Sequence, residues 1–207
     1  MIEPKIIYED NHIIVVIKPQ NISVQEDESQ DIDMLTIIKN FIKVRDKKPG
    51  NVFLGLVHRL DRPTGGVMVF AKTSKAASRL SEQLKSKQLK KKYFCVINGR
   101  PQIVSDRLTT YLKKDAKTNT VSICTQLEEG SKEAILEYEV VETKNKFSLI
   151  DVNLITGRSH QIRVQMAKQL NLPIYGDFKY GDKPREGFSP SGPALIDVCP
   201  LKIQDSI

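Results

Sequence analysis

Nine consecutive residues, from His58 to Gly66, hold the groups that acid-base or nucleophilic chemistry uses. The sequence His-Arg-Leu-Asp-Arg-Pro-Thr-Gly-Gly places one carboxylate, Asp61, among two arginines and a histidine. Neighbouring cations favour the ionised form of a carboxylate, and the proline and glycines favour a tight loop. Loops held by a rigid scaffold commonly carry active sites, so Asp61 is the first candidate for a reacting group. The alternative interpretation is that Asp61 caps the turn while both arginines face solvent.

A second cluster of polar residues runs from Thr156 to Arg163, with the sequence Thr-Gly-Arg-Ser-His-Gln-Ile-Arg, directly after an apolar run. The pattern predicts a helix that starts here, whose free amides together with Arg158 would bind an anion. Arg163 stands between two apolar residues, which predicts a side chain that points inward and needs a carboxylate partner. Asp61 is the natural partner. The alternative is a basic first helical turn that faces solvent.

A run of six cations without an acid lies between Lys85 and Arg100. Such a run is typical of a surface that contacts phosphates. Tyr93 follows three of these lysines at the head of a predicted strand, where its ring would stack on an extruded base. The alternative is a solvated helix end followed by a core tyrosine. We predict contacts to the phosphates of a nucleic-acid backbone for Lys90, Lys91 and Lys92.

The elements that must position these residues are predicted from the spacing of apolar side chains. One helix is predicted after the cap Asp31, another after the cap Thr73, and a third over residues 159–170. Strands are predicted at residues 6–8, 12–18, 53–57, 67–71, 93–97, 121–124, 134–142, 147–154 and 194–198. Strands outnumber helices and occur in runs. We therefore predict an α+β fold in which helices flank a mixed, mostly antiparallel sheet, in one domain over residues 1–207.

The amino-acid composition limits the classes of protein to which this chain can belong. The 207 residues carry 32 Lys and Arg against 25 Asp and Glu, a net charge of +7, which favours a polyanionic partner. With 40% hydrophobic residues the chain is typical of a globular protein. Cys95, Cys124 and Cys199 are too few and too widely spaced for a disulfide framework or a zinc cage. The sequence shows no signal peptide and no membrane-spanning run, which predicts a cytoplasmic protein without membrane contact.

Three segments together resemble the motifs of the RluA family of pseudouridine synthases. The segment from His58 to Gly66 is similar to the catalytic motif of that family. Lys92-Tyr93 with Asn98-Gly99 is similar to its tyrosine motif, and the segment from Gly157 to Val164 to its arginine motif. The segments occur in the family order, and the resemblance extends over nearly the whole chain.

The resemblance implies a role for each matching residue. Asp61 is then the catalytic aspartate, Tyr93 stacks on the target base, and Arg163 is the partner of Asp61. Arg59 would enter the space left by the flipped nucleotide. The predicted substrate-binding residues are Arg59, Tyr93, Arg163, Arg158, His58 and Arg62. No metal or other cofactor is expected, and a metal-dependent phosphoesterase built on His58, Asp61 and His160 is disfavoured because the histidines lack a metal-binding spacing.

The function implied by the resemblance is that of an RNA pseudouridine synthase, which isomerises uridine in structured ribosomal or transfer RNA. The family has an α+β fold with its catalytic cleft on the sheet. We also expect a monomer that needs no protein partner and a chain without a separate N-terminal RNA-binding domain. Gly65 and Gln165 depart from the family, which usually has serine and histidine there. The alternative from another class is a catalytically silent RNA-binding or assembly protein on the same fold.

Overall fold

The computed structural model describes residues 3 to 183 and 192 to 198, and the chain forms two compact units that divide between Leu89 and Lys90. Both units consist of antiparallel strands with helices packed on them, so the predicted α+β class is confirmed. The expected single domain over residues 1–207 and the position of the cleft stay predictions. Cys199 lies outside the described residues.

The first unit is built around β2 (Ile13–Lys18), an apolar strand whose side chains are almost all buried. It pairs with β1 (Lys5–Glu9) on one side and with β4 (Gly65–Ala71) on the other, and the short β3 (Gly55–Leu56) also pairs with β4. The register places Lys18, at the end of β2, opposite Gly66, at the beginning of β4. The loop that contains Asp61 therefore ends beside Lys18.

The helices of this unit include α1 (Met34–Arg45) and α2 (Ser74–Lys85), and Ala76 and Leu80 of α2 pack against β2 and β4. The predicted cap of α2 is confirmed, because the hydroxyl of Thr73 accepts a hydrogen bond from the backbone N–H of Ala76. The predicted cap of α1 is wrong by two residues. Asp33 rather than Asp31 accepts from the N–H of Thr36, since a cap must directly precede the first helical residue. None of the helices in the described part of the chain is long and apolar enough to span a membrane.

The second unit contains an antiparallel sheet in the order β10-β5-β9-β8-β6-β7. Its strands are β5 (Lys91–Asn98), β6 (Ser105–Asp115), β7 (Thr120–Cys124), β8 (Lys132–Lys144), β9 (Phe147–Leu154) and β10 (Leu195–Asp197). The strands predicted in this unit are present, but β6 is an addition to them. Its buried side chains are Leu108 and Leu112, four residues apart. Such a sparse apolar pattern does not predict a strand, and pairing with both β8 and β7 forms it instead.

The third predicted helix differs from the expectation in its start and in its type. His160 has a left-handed backbone, with φ of 50°, so α3 begins at Gln161 and spans only Gln161–Val164. A π-helical segment, Gln165–Gln169, follows it. The buried amide Nε2 of Gln165 donates to the carbonyls of Leu108 and Ala134 at 3.3 and 3.4 Å. Gln165 therefore ties the π-helical segment to the sheet.

Candidate functional site

A buried lysine shapes the loop that carries Asp61. The side chain of Lys18 has no exposed surface. Its Nζ donates to the carbonyl oxygens of Pro19 at 2.9 Å, Arg62 at 3.0 Å and Thr64 at 2.7 Å. The ammonium group has three donors, and here each one meets a backbone carbonyl. Two of these carbonyls lie just after Asp61 in the chain, so the ammonium fixes the backbone that presents the carboxylate.

The environment of Lys18 also changes its proton affinity. Burial lowers the pKa of Lys18 from its ordinary value of 10.5 to about 8, and the negative charge of Asp61 opposes that shift. The ammonium form therefore still prevails at neutral pH. Sequence analysis does not single out Lys18, because a lysine at a strand end usually extends into solvent. The available signal is a lysine that ends an apolar strand directly before a proline.

The other residues of the loop differ in exposure. The ring Nε2 of His58 accepts a hydrogen bond of 3.3 Å from the backbone N–H of Val69, which joins the start of the loop to β4. Leu60 is buried and Asp61 half-buried, whereas Arg59 is exposed. The loop is thus anchored on both sides of Arg59, while the arginine itself reaches solvent.

Arg62 contacts an acidic loop of the same unit. Its guanidinium forms an ion pair with Asp31 and a longer one, of 3.6 Å, with Asp27. It also donates to the hydroxyl of Ser29 at 2.8 Å and to the carbonyl of Asn21 at 3.2 Å. The sequence predicts Arg62 as a substrate-binding residue. The structure gives it a second role, as a clasp between the Asp61 loop and residues 21–31.

We expect Arg62→Met to loosen this clasp without unfolding the first unit. Hydrogen exchange followed by mass spectrometry should show several-fold faster exchange of the amides in residues 21–31, because the ion pairs and both hydrogen bonds are lost. Arg59→Met, which changes an exposed arginine of the same loop, is the control and should leave exchange there unchanged. Equal exchange in wild type and Arg62→Met would contradict the clasp.

Tyr93 lies on the buried face of β5 in the second unit and is 8% exposed. Side chains alternate along a strand, so Lys91 shares this face with Tyr93 whereas Lys92 lies on the opposite face. Lys92 Nζ forms an ion pair of 2.6 Å with Asp151 of β9. Lys91 Nζ instead reaches the backbone of Gly157, where an added Cβ would lie 2.8 Å from it. The structure therefore separates two lysines that the sequence groups together, and Lys90 stands exposed before the strand.

Arg163 is buried in α3, as the sequence predicts, and is paired with a carboxylate of its own unit. Its Nε donates to Oδ2 of Asp177 at 2.7 Å, and its Nη2 donates to Oδ1 at 2.8 Å. Its guanidinium also lies over the ring of Tyr180, 5.0 Å from the ring centroid. Sequence analysis does not identify Asp177 or Tyr180, because both follow the helix in an irregular segment. The predicted pairing of Arg163 with Asp61 stays a prediction.

Arg158 is exposed, and its side chain contacts β8. Its Nε donates to the carbonyl of Glu133 at 2.8 Å, while its backbone N–H donates to Oε1 of Gln161 at 3.0 Å. The backbone N–H of Gln161, the first in α3, donates to the carbonyl of Arg158. The sequence predicts that Arg158 and the free amides at this helix start bind an anion. In the structure, the Nε of Arg158 and the backbone N–H groups of Arg158 and Gln161 already donate hydrogen bonds within the unit. Among residues 3–183 and 192–198, no group of three or more His, Cys, Asp or Glu side chains is arranged to hold a metal ion.

Known proteins are similar to this chain over most of its length. Residues 12–168 match the model of the RNA pseudouridylate synthase family. The ribosomal large subunit pseudouridine synthase C of Buchnera aphidicola subsp. Baizongia pistaciae is 36% identical over 184 residues, 88% of this chain and 56% of that protein. The ribosomal large subunit pseudouridine synthase D of Borreliella burgdorferi is 32% identical over 180 residues, 85% of this chain and 54% of that protein. The chain thus spans about half the length of these curated relatives.

A solved structure supports the fold. Human RNA Pseudouridylate Synthase Domain Containing 4 is similar with a TM-score of 0.77 and 22% sequence identity, over 93% of this chain and 81% of that chain. The family match covers the Asp61 loop, the strand of Tyr93 and the helix of Arg163. These three segments are the ones whose motifs carry the sequence resemblance. The chain belongs to the RNA pseudouridylate synthase family, and within it to the RluA type.

Proposed function

We propose that this chain is an RNA pseudouridine synthase that acts on ribosomal RNA, with Asp61 as the reacting carboxylate. The observation that carries the proposal is the Asp61 loop, whose backbone is held by the buried ammonium of Lys18 in a chain of this family. The curated relatives are named as enzymes of the ribosomal large subunit, which favours ribosomal over transfer RNA.

The proposed reaction is an isomerisation. The bond between the ribose C1′ and N1 of uracil breaks, the base rotates, and a bond forms between C1′ and C5. The proton of C5 is released and N1 gains a proton, so the atoms balance without an oxidant or a reductant. This chemistry requires a carboxylate at the sugar or the base and a site that retains the detached uracil. Asp61 supplies the carboxylate in our proposal.

Access to the uridine requires that the nucleotide leave the stack of a structured RNA, at a cost of a few kcal/mol. In our proposal the ring of Tyr93 stacks on the flipped base, which offsets part of that cost. The exposed side chain of Arg59 enters the space that the nucleotide leaves. His58 supports the loop through its hydrogen bond to the backbone of Val69. Arg163 is the cationic partner that orients the Asp61 carboxylate.

The two neighbouring lysines provide a matched test of the RNA path. Lys91→Ala should weaken RNA binding and reduce the slope of log affinity against log salt by about 1, because one phosphate contact is lost. Lys92→Ala should have a clearly smaller effect on both, since Lys92 lies on the opposite face of β5 and is paired with Asp151. Binding of ribosomal RNA fragments measured over a range of salt concentrations checks both variants. Equal effects of the two substitutions would show that the faces of β5 do not determine the RNA path.

The proposed function itself is tested by incubating the purified chain with ribosomal RNA and, separately, with transfer RNA from cells that lack its gene. Chemical mapping should reveal new pseudouridine in the ribosomal RNA. Pseudouridine in the transfer RNA alone would correct the substrate. RNA binding without any pseudouridine would favour the catalytically silent alternative. The proposal also retains the cytoplasmic location, the monomeric state and the independence from a protein partner that the sequence predicts.

A further inference from the structure

Two side chains of the second unit hold the guanidinium of Arg163 from different directions. Asp177 contacts its edge through two parallel hydrogen bonds, of 2.7 Å to Nε and 2.8 Å to Nη2. The guanidinium also lies over the ring of Tyr180, with 5.0 Å between Cζ and the ring centroid. A bidentate carboxylate fixes a guanidinium within its plane, and an aromatic ring fixes the direction of that plane. Together the two contacts restrict how the guanidinium of Arg163 can turn.

Asp177 and Tyr180 are themselves held in place by hydrogen bonds and by ring packing. The hydroxyl of Tyr180 accepts a hydrogen bond of 2.9 Å from the backbone N–H of Val121 in β7, and it lies 2.6 Å from Nδ1 of His160. The rings of His160 and Tyr180 also meet edge to face, 5.5 Å apart. The carbonyl oxygen of Asp177 accepts from the backbone N–H of Tyr180, which closes the turn that joins the two residues. The cradle formed by Asp177 and Tyr180 is therefore part of the core packing of this unit.

The chemistry of a buried arginine explains why such a cradle is useful. Arg163 is 5% exposed and Asp177 1% exposed, so either charge alone would be strongly destabilising. Asp177 gives Arg163 a counterion inside its own unit. Arg163 therefore stays neutralised when a second anion approaches, reacts or departs.

We propose that Asp177 and Tyr180 are positioning residues that hold the guanidinium of Arg163 in a fixed orientation, ready for its anionic partner. This inference rests on the proposed function, in which that partner is the carboxylate of Asp61. Neither residue touches the RNA or the reacting atoms. Each acts through Arg163, so that the arginine does not have to be reoriented in every reaction cycle.

The first test separates positioning from mere structural support at Tyr180. Tyr180→Phe keeps the ring but removes the acceptor of the Val121 N–H, so the thermal midpoint should fall while kcat stays within about threefold of wild type. Tyr180→Leu also removes the ring, and kcat should fall by roughly tenfold or more with little change in KM. If Tyr180→Leu and Tyr180→Phe have equal kcat in the folded state, the ring does not position Arg163.

The second test concerns Asp177. Asp177→Asn keeps the shape but removes the charge, and kcat for pseudouridine formation should fall by about 10- to 100-fold with KM for RNA nearly unchanged. In an Arg163→Met background the same substitution should cost nothing further, because Asp177 acts only through the arginine. An equal loss in both backgrounds would overturn the proposal.

A third measurement does not depend on activity and distinguishes failure of this inference from failure of the proposed function. The ¹⁵N relaxation of the Arg163 Nε–H in the full chain should give an order parameter of about 0.8, falling below about 0.6 in Asp177→Asn. A chain that makes no pseudouridine but shows this change would refute the proposed function and retain the cradle. A flexible Arg163 in the wild-type chain would refute the cradle.

Discussion

Asp61→Asn is expected to lower the rate of pseudouridine formation by a factor of about 10³ or more, while RNA affinity changes little. Asparagine has nearly the same shape as aspartate and keeps one acceptor oxygen, but it lacks the charge and the nucleophilicity of a carboxylate. The backbone of the loop should keep its conformation. Lys18 holds it by donating to the carbonyl oxygens of Arg62 and Thr64, and these two contacts do not involve the Asp61 side chain. Single-turnover mapping of pseudouridine and a parallel RNA-binding titration provide the two readouts.

A control is needed because Asp61 also affects Lys18. The negative charge of Asp61 raises the pKa of Lys18, so its removal should move that pKa below about 8. The assay is therefore run at neutral pH and also at pH 6.5 or lower. At the lower pH, Lys18 of the variant keeps its proton. Asp27→Asn, in the acidic loop of the same unit, is the matched carboxylate control and should keep nearly full turnover. Retained turnover in Asp61→Asn would exclude Asp61 as the reacting group.

Lys18→Met is expected to have the second largest effect. Methionine fills a similar volume but leaves the carbonyls of Pro19, Arg62 and Thr64 without their common donor. An unsatisfied buried carbonyl costs about 1–3 kcal/mol, and partial relaxation of the loop suggests a total loss near 3 kcal/mol in the free energy of unfolding. Because the loop moves, kcat should also fall by about 10²-fold. Chemical denaturation and single-turnover kinetics measure the two effects.

Lys72→Met is the matched control for this substitution. Lys72 is also largely buried in the first unit, where its Nζ donates to Glu9 and to the carbonyl of Asp10, both at 2.6 Å. It follows β4, at the opposite end of the strand from Gly65. The control should therefore lose stability but keep kcat. A kcat loss in Lys72→Met as large as in Lys18→Met would show that the lysine contact to the loop is not specific.

The pKa of Lys18 also predicts opposite trends of stability and activity above neutral pH. The folded-state pKa of about 8 lies below the ordinary value of 10.5, so between these values the unfolded chain binds more protons. The contribution of Lys18 to the free energy of unfolding therefore rises as the pH increases from about 8 to 10.5 and is lost as the pH falls back through 8. Activity should decline over the same range, because the neutral amine has two donors for three carbonyls. Both trends should be absent in Lys18→Met.

Local chemistry explains which elements could be predicted from the sequence. The cap of α2 at Thr73 and the apolar runs of β2, β4 and β9 depend on neighbouring residues, and the structure confirms them. Strand β6 could not be predicted, because its side chains carry little apolar pattern and its partners are distant in the chain. The π-helical segment after α3 could not be predicted for a similar reason. Its backbone depends on contacts to the sheet, such as those of Gln165.

The features of the candidate site also divide into those that can be predicted from the sequence and those that cannot. The sequence by itself determined the reactive groups and their order, because a family motif is a property of consecutive residues: Asp61, Tyr93 and Arg163 are recognisable without coordinates. Only the tertiary structure decided which charges meet. Lys18 contacts carbonyls up to 46 residues away, and Arg163 pairs with Asp177, 14 residues away. Burial makes such pairing obligatory, but it does not specify from sequence which of many carboxylates or carbonyls will satisfy a given cation.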